Sequence, residues 1–168
     1  MNASDSLTVS HIPAGADREP YVPLLLLADE PEPLRTYLDT GDLYVLQDPA
    51  GTPLGVTLVL PWHEEETTAE LKAVAVDAST HNRGLGQRML RGVLDHLRAR
   101  GTTRVVVGTS NAGIGQIAFY QKTGFRILCI ERDYFTVEKG YDPDERENGL
   151  PHRDMVWFDQ DLSQATPR

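Results

Sequence analysis

The sequence predicts an α/β domain, a sheet of six to seven strands flanked by about four helices. Three observations carry this. Short runs alternate apolar with polar residues and are bounded by Pro, Gly, Asn or Asp, as strands are. Two longer segments, 84–100 and 114–122, space their apolar residues by threes and fours, as amphipathic helices do. The two kinds interleave in the order β, α, α, β, β, β, α, β, α, β, β, without repeats, low-complexity tracts or a linker. With 168 residues, one domain spanning 1–168 is expected.

Each element has a local reason. Residues 7–12, Leu-Thr-Val-Ser-His-Ile, alternate as a strand. Pro20 and Pro23 open a short helix over about 20–28, since proline is tolerated in a first helical turn. Pro31-Glu32-Pro33 starts a second helix through Leu34, Tyr37 and Leu38, and Gly41 closes it. Leu43–Gln47 and Pro53–Leu60 form a hairpin around Asp48-Pro49-Ala50-Gly51. Glu70–Val76 is a further strand. The helix over 84–100 buries Leu85, Met89, Leu90, Val93, Leu94 and Leu97, and Gly101 follows where φ > 0 is often needed. Thr103–Gly108 reads as a buried strand. Ile114–Lys122 is a helix with Ile114, Ile117, Ala118 and Gln121 on one face. Phe125–Ile130 is a strand, 136–150 a polar loop, and Met155–Phe158 a last strand.

Composition narrows the function. Asp and Glu number 25 against 16 Lys and Arg, a formal net charge of −9. Phosphate backbones and anionic membranes need cationic faces, so no nucleic-acid and no membrane partner is expected. One cysteine, Cys129, permits neither an internal disulfide nor a cysteine-based zinc site. The five histidines form no i,i+4 pair, and no metal is expected. Leu24–Leu27 is the longest aliphatic run, far below the roughly 20 residues that span a bilayer. Met1–Ser6 lacks the basic and apolar regions of a signal peptide, so a cytoplasmic location is expected. The charge is uneven. Residues 81–104 hold Arg83, Arg88, Arg91, Arg98, Arg100 and Arg104 against Asp95 alone.

That basic stretch begins with a distinctive turn. His81-Asn82-Arg83-Gly84-Leu85-Gly86-Gln87 lies between a strand and a helix. Two glycines at i and i+2 let a ligand approach the backbone, and helix N-terminal amides attract anions. A Walker loop would need Gly-Lys-Ser or Gly-Lys-Thr, which is absent. A dinucleotide fingerprint would need a third glycine where Met89 stands.

The stretch Glu70–Leu90 resembles motif A of the GNAT superfamily of acetyl-CoA-dependent N-acetyltransferases: a strand, then Gln/Arg-x-x-Gly-x-Gly/Ala, then a helix. Asn111 and Ala118-Phe119-Tyr120-Gln121-Lys122-Thr123-Gly124-Phe125 resemble its motif B. Leu24–Asp29, Glu147-Asn148-Gly149 and Arg153–Val156 are similar to a bacterial branch of that superfamily. His81 departs from the pattern, standing where Gln or Arg is usual.

The resemblance implies the GNAT fold: a central mixed, mostly antiparallel sheet of six to seven strands with a splayed strand pair. It implies acetyl-CoA as co-substrate, its pantetheine arm bonding the backbone of Val74, Ala75 and Val76. The Val74 amide would face the thioester oxygen, and such a donor is typically worth roughly 2.7–4 kcal/mol in the transition state. Asn82, Arg83, Gly84, Leu85, Gly86, Gln87 and Arg88 would hold the pyrophosphate, and Asn111 the pantetheine arm. Glu70 aligns with the strand glutamate used as a base by histone-acetylating relatives. It precedes Val74 by four residues and is expected on the same strand face. Tyr120 matches the general acid for the leaving thiolate. Asp133, Tyr134, Phe135 and Arg153 would line the acceptor pocket.

The other reactive residues read as bland. Cys129 is expected as a buried structural thiol. Ser110 and His152 show no recognisable triad context. Glu64-Glu65-Glu66 reads as a solvated loop.

Two functions follow. One is N-acetyl transfer to a primary amine, small molecule or peptide, by direct attack in a ternary complex. The other is a non-catalytic acetyl-CoA or CoA sensor. Tyr120 and Glu70 favour the enzyme, and a homodimer is compatible with the resemblance. The acceptor stays open among amino compounds, polyamines, aminoglycosides and peptide N-termini. The basic stretch should meet the phosphates, and the acidic remainder should border an entrance suited to a protonated amine.

Overall fold

The computed structural model describes residues 6–62, 65–80 and 84–164. Strand β1 (Thr8–Ile12) leads through a 3₁₀ turn, Glu19–Tyr21, into helix α1 (Val22–Leu25) and then α2 (Pro31–Tyr37). Strands β2 (Asp42–Gln47), β3 (Pro53–Pro61) and β4 (Thr68–Val76) follow, then helix α3 (Leu85–Ala99), strand β5 (Arg104–Ser110) and helix α4 (Ile114–Lys122). Strand β6 (Arg126–Glu131), a two-residue pair β7 (Arg146–Glu147) and β8 (Leu150–Pro151), and β9 (Met155–Asp161) complete the order.

Two local expectations change. The helix expected over 20–28 is a 3₁₀ turn plus one α-turn, because Pro20 and Pro23 each remove an amide donor. The polar loop 136–150 contains a 3₁₀ turn, Val137–Lys139, and half of a tight hairpin. Asn148 and Gly149 sit at φ 53° and 74° between β7 and β8. Asn-Gly is the preferred pair for a two-residue hairpin turn, since both positions need φ > 0.

Seven strands form one mixed sheet in the order β1-β2-β3-β4-β5-β9-β6. Every neighbouring pair is antiparallel except β4–β5, which is parallel. That pair is short: Thr68–Leu71 match Arg104–Val107, and the pairing then stops. β5 continues through Ser110 against β9, and β4 continues through Val76 against β3. The splayed pair is therefore present.

Each sheet face carries a core. Met89, Leu90, Val93 and Leu97 of α3 pack with Leu71, Val105, Val107, Tyr120 and Phe158 on one face. Leu24 and Leu25 of α1 and Leu34 and Tyr37 of α2 pack with Val56, Leu58, Ala73 and Ala75 on the other. Each such aliphatic side chain contributes about 1.5–3 kcal/mol by leaving water. Gly92 lets α3 approach β1: a Cβ there would meet Val9 Cγ2 at 2.7 Å.

β4 changes face partway. Val59 pairs with Leu71 and its neighbour Leu58 with Ala73, so Lys72 is an extra residue in the ladder, a β-bulge. Before the bulge Ala69 and Leu71 join the α3 core. After it Ala73 and Ala75 join the α1–α2 core, while Val74 and Val76 pack on the α3 side. Glu70, paired with Leu60, thus lies on the face opposite Val74. The spacing of four that suggested a shared face assumed an unbroken period of two.

The edge strand β6 is exposed along its whole length, with Ile127, Leu128 and Ile130 among the exposed apolar residues. Cys129 is exposed with them, not buried as its alternating neighbours suggested. Alternation marks a strand; which faces are covered depends on what lies above them.

Candidate active site

Where β4 and β5 part, a cleft of about 410 Å³ opens. Leu71–Val74 form one wall and Gly108–Ser110 the other. Beyond Leu71, β4 has no strand partner on its β5 side among the described residues. Val74, Ala75 and Val76 pair only with Thr57, Val56 and Gly55 of β3.

Tyr120 reaches this cleft from α4 and is 5% exposed. Its ring packs against Phe119, Phe125 and Phe158 at centroid distances of 5.4, 5.8 and 5.7 Å. Burial raises the phenol's pKa, so it holds its proton. Glu70 lines the cleft from β4, beside Lys72. Lys72 lies 5.2 Å above the Tyr37 ring.

The far wall is acidic and aromatic. Asp29 and Glu30 line it from the α1–α2 connection, Glu145 and Glu147 from the segment before β8. Asp29 accepts the hydroxyls of Tyr37 at 2.8 Å and Tyr141 at 3.2 Å. Burial first and this carboxylate second push both phenols well above the usual range. The Glu30 carboxyl is pushed up by burial and then by its hydrogen bond to Glu145. Tyr134 and Phe135 line the cleft, with Trp157 beside them. Asp133 and Arg153 do not line it. They pair with each other at 2.9 Å on the surface, both well exposed.

Asn111 is committed elsewhere too. Its Oδ1 accepts the amides of Arg153 and Asp154, both at 2.9 Å, and its Nδ2 donates to the Pro151 carbonyl at 3.2 Å. Asn148 Nδ2 donates to the Ala112 carbonyl at 2.9 Å. The two asparagines pin the β7–β8 hairpin to the end of β5.

That hairpin assembles a group the sequence reading dismissed. His152 Nδ1 lies 2.7 Å from Ser110 Oγ, and His152 Nε2 lies 3.8 Å from Glu147 Oε2. All three side chains line the cleft. The Asn148-Gly149 turn was the available signal: it folds β8 back on β7, pairing Glu147 with Leu150, two residues before His152.

At the other end of β4, α3 begins at Gly84, whose φ of 69° is left-handed, with no side-chain cap on the helix. Leu85 is buried, Gln87 exposed, and a Cβ at Gly86 would lie 3.2 Å from the Phe119 ring. Asn82, Arg83 and His81 lie outside the described residues. Arg88 Nη2 donates to the Leu7 carbonyl at 3.2 Å.

The basic stretch does not form one patch. Arg98 pairs with Asp95, Arg100 with Asp42, and Arg104 with Asp159 and Glu65. Glu65, expected in a solvated loop, is thereby engaged. These arginines sit at or beyond the C-terminal end of α3, about 20 Å from its start by helical rise. Sequence proximity put them beside the glycine turn; the helix carries them away from it.

Comparison with known proteins places the architecture. The profile of the acetyltransferase (GNAT) family matches residues 13–125. The chain is 36% identical over 141 residues to a Bacillus subtilis (strain 168) protein named uncharacterized N-acetyltransferase YvbK, covering 83% of this chain and 87% of that one. A solved structure named IAA acetyltransferase, from Bacillus cereus ATCC 14579, superposes with a TM-score of 0.80 at 34% identity, over 93% of this chain and 99% of that one. An acetyltransferase from Elizabethkingia anophelis, solved with acetyl-CoA bound, gives 0.81 at 32% identity, over 94% and 99%.

Proposed function

This chain belongs to the acetyltransferase (GNAT) family and is an acyltransferase, and from that premise we propose that it moves the acetyl group of acetyl-CoA to a primary amine by direct attack in a ternary complex. The observation that carries the reading is the parting of β4 and β5 after Leu71 and Val107, which leaves one edge of β4 free at a cleft. A ligand's amide groups would find backbone donors and acceptors there along Val74–Val76, as a strand would. The relative that holds acetyl-CoA supports that ligand. The Val74 amide would meet the developing oxyanion, and the Tyr120 hydroxyl would donate to the departing sulfur. Gly84–Gln87 would cradle the pyrophosphate at an uncapped helix start. Asn82, Arg83 and Arg88 are proposed to add to that phosphate site.

Glu70 lies in the cleft and is proposed to act on the acceptor side. The wall around it carries five carboxylates against Lys72 and Arg146, which favours a cationic amine, small molecule or peptide, over an acidic one. Thiol release from acetyl-CoA, measured with a panel of primary amines, tests the proposal. Amine-dependent release is expected, strongest for amines with a second positive charge. Tight CoA binding with no stimulation by any amine would instead mark a sensor.

A further inference from the structure

Ser110 and His152 have no role in that reading. Ser110 is 8% exposed at the end of β5, just past the point where β4 leaves it. Its Oγ accepts the Ala112 amide at 3.1 Å, which fixes one lone pair. His152 lies 2.7 Å away through Nδ1, its side chain 17% exposed, and its ring meets that of Phe135 at 5.9 Å. Nε2 faces the Glu147 carboxylate at 3.8 Å, an ion-pair distance. Of the two neutral tautomers, one suits a relay. Ser110 donates its hydroxyl proton to Nδ1, and Nε2–H points to Glu147. This leaves a lone pair on Ser110 Oγ, on a residue that lines the cleft.

We propose that Ser110 and His152 form the proton relay that deprotonates the attacking amine, with Glu147 steadying the imidazolium. The proposal rests on the acetyl-transfer reading above. As the amine nitrogen bonds the thioester carbon it becomes a cationic, acidic centre. Its N–H bond breaks toward Ser110 Oγ while the Ser110 O–H bond breaks toward His152 Nδ1. The electron pair of the N–H bond stays on nitrogen, the C–S bond breaks, and the sulfur leaves with the other pair. The sulfur takes the Tyr120 proton as it leaves, so the products are the amide, the thiol, a tyrosinate and an imidazolium, and one proton passed through water from the imidazolium to the tyrosinate resets the site. Imidazoles are better matched than carboxylates to accept protons near neutrality. Glu70 then serves to hold the acceptor's charge.

Several charges share the cleft with His152: Glu145 and Arg146 near Glu147, Glu70 and Lys72 on β4, and Asp29 and Glu30 across it. Together with Glu147 their combined sign is negative. Tyr134 and Tyr141 also face the cleft, as phenols held protonated by burial.

The test compares wild type with His152→Gln, Ser110→Ala and Ser110→Thr, using acetyl-CoA and the best amine of the panel. His152→Gln and Ser110→Ala are expected to lower kcat about 100-fold at about pH 7, with the acetyl-CoA KM within about twofold. Ser110→Thr keeps the hydroxyl and is expected to retain most of the rate. The His152→Gln deficit should shrink below about tenfold by about pH 10, where hydroxide can take the proton from the cationic adduct in place of the relay. A deficit that stays constant with pH would make the pair structural and overturn the relay. Wild-type rates in both variants would do the same. An acetyl-Ser110 adduct formed with acetyl-CoA alone would overturn it in favour of a serine nucleophile. If wild type releases no thiol with any amine, the acetyl-transfer reading fails and the relay with it. Wild-type turnover with unaffected variants sinks the relay alone.

Discussion

Tyr120 is 5% exposed, and three phenylalanine rings surround its own. That setting raises its pKa and leaves a neutral O–H at the cleft. A phenol of ordinary pKa would begin to lose its proton near pH 10, whereas this one stays a donor. Tyr120→Phe is therefore expected to lower kcat about 100-fold while CoA still binds. The wild-type-to-variant ratio should stay constant from about pH 7 to about pH 10, because the raised pKa keeps the donor protonated throughout. A near-normal kcat, or a ratio that collapses above about pH 9, would remove this role. Tyr120 was legible because its motif is local and contiguous. The Ser110–His152 pair was not, since 42 residues separate partners that meet at 2.7 Å.

Among the elements, the exit of α2 is held by Arg18. This side chain is 2% exposed, and its guanidinium donates to the carbonyls of Leu38 at 2.8 Å, Thr40 at 2.6 Å and Gly41 at 2.7 Å, with Ile12 at 3.4 Å. It closes the C-terminal end of α2 and ties it to β1. Burial lowers its pKa from the arginine value, with Asp39 and Asp42 opposing. Arg18→Met fills similar volume but strands these carbonyls, and each buried unpaired group costs about 1–3 kcal/mol. A loss of about 3 kcal/mol in denaturant unfolding is expected. A loss under about 0.5 kcal/mol would show that water replaces the guanidinium. Nothing near residue 18 announces this role, because a lone arginine in a polar stretch reads as solvated. Helices α3 and α4 were legible almost to the residue, since their periodicity is a property of the segment itself. The bulge at Lys72 was not, because a ladder irregularity exists only relative to a partner strand. With it went the face of Glu70, and so the expected geometry between Glu70 and Val74.

For the whole molecule, a net charge of −9 resolves into a distribution only after folding. Arg98 pairs with Asp95 one turn away on α3, and Arg100 and Arg104 pair with acids from other segments, so the basic stretch is largely neutralised beyond the start of α3. The cleft keeps an excess of carboxylates. A protonated amine should then bind more weakly as salt rises. Raising ionic strength from about 0.01 M to about 0.15 M shortens the Debye length from about 30 Å to about 8 Å. The KM of a dicationic amine is expected to rise several-fold across that range, and more than that of an amine without a second charge. A KM indifferent to salt would mean that these carboxylates do not steer the acceptor.

The sequence by itself determined the family, the order of the seven sheet strands and four helices and the Gly84–Gly86 turn, all of which depend on residues adjacent in the chain or spaced by one helical or strand period. The tertiary structure alone decided which acids meet Arg100 and Arg104, where β4 turns over, why Cys129 stands exposed, and that Ser110 and His152 share a hydrogen bond. Each of these depends on what another segment brings alongside. Ion pairs, ladder register, burial and side-chain relays are properties of pairs of segments, and no single window of sequence contains both members.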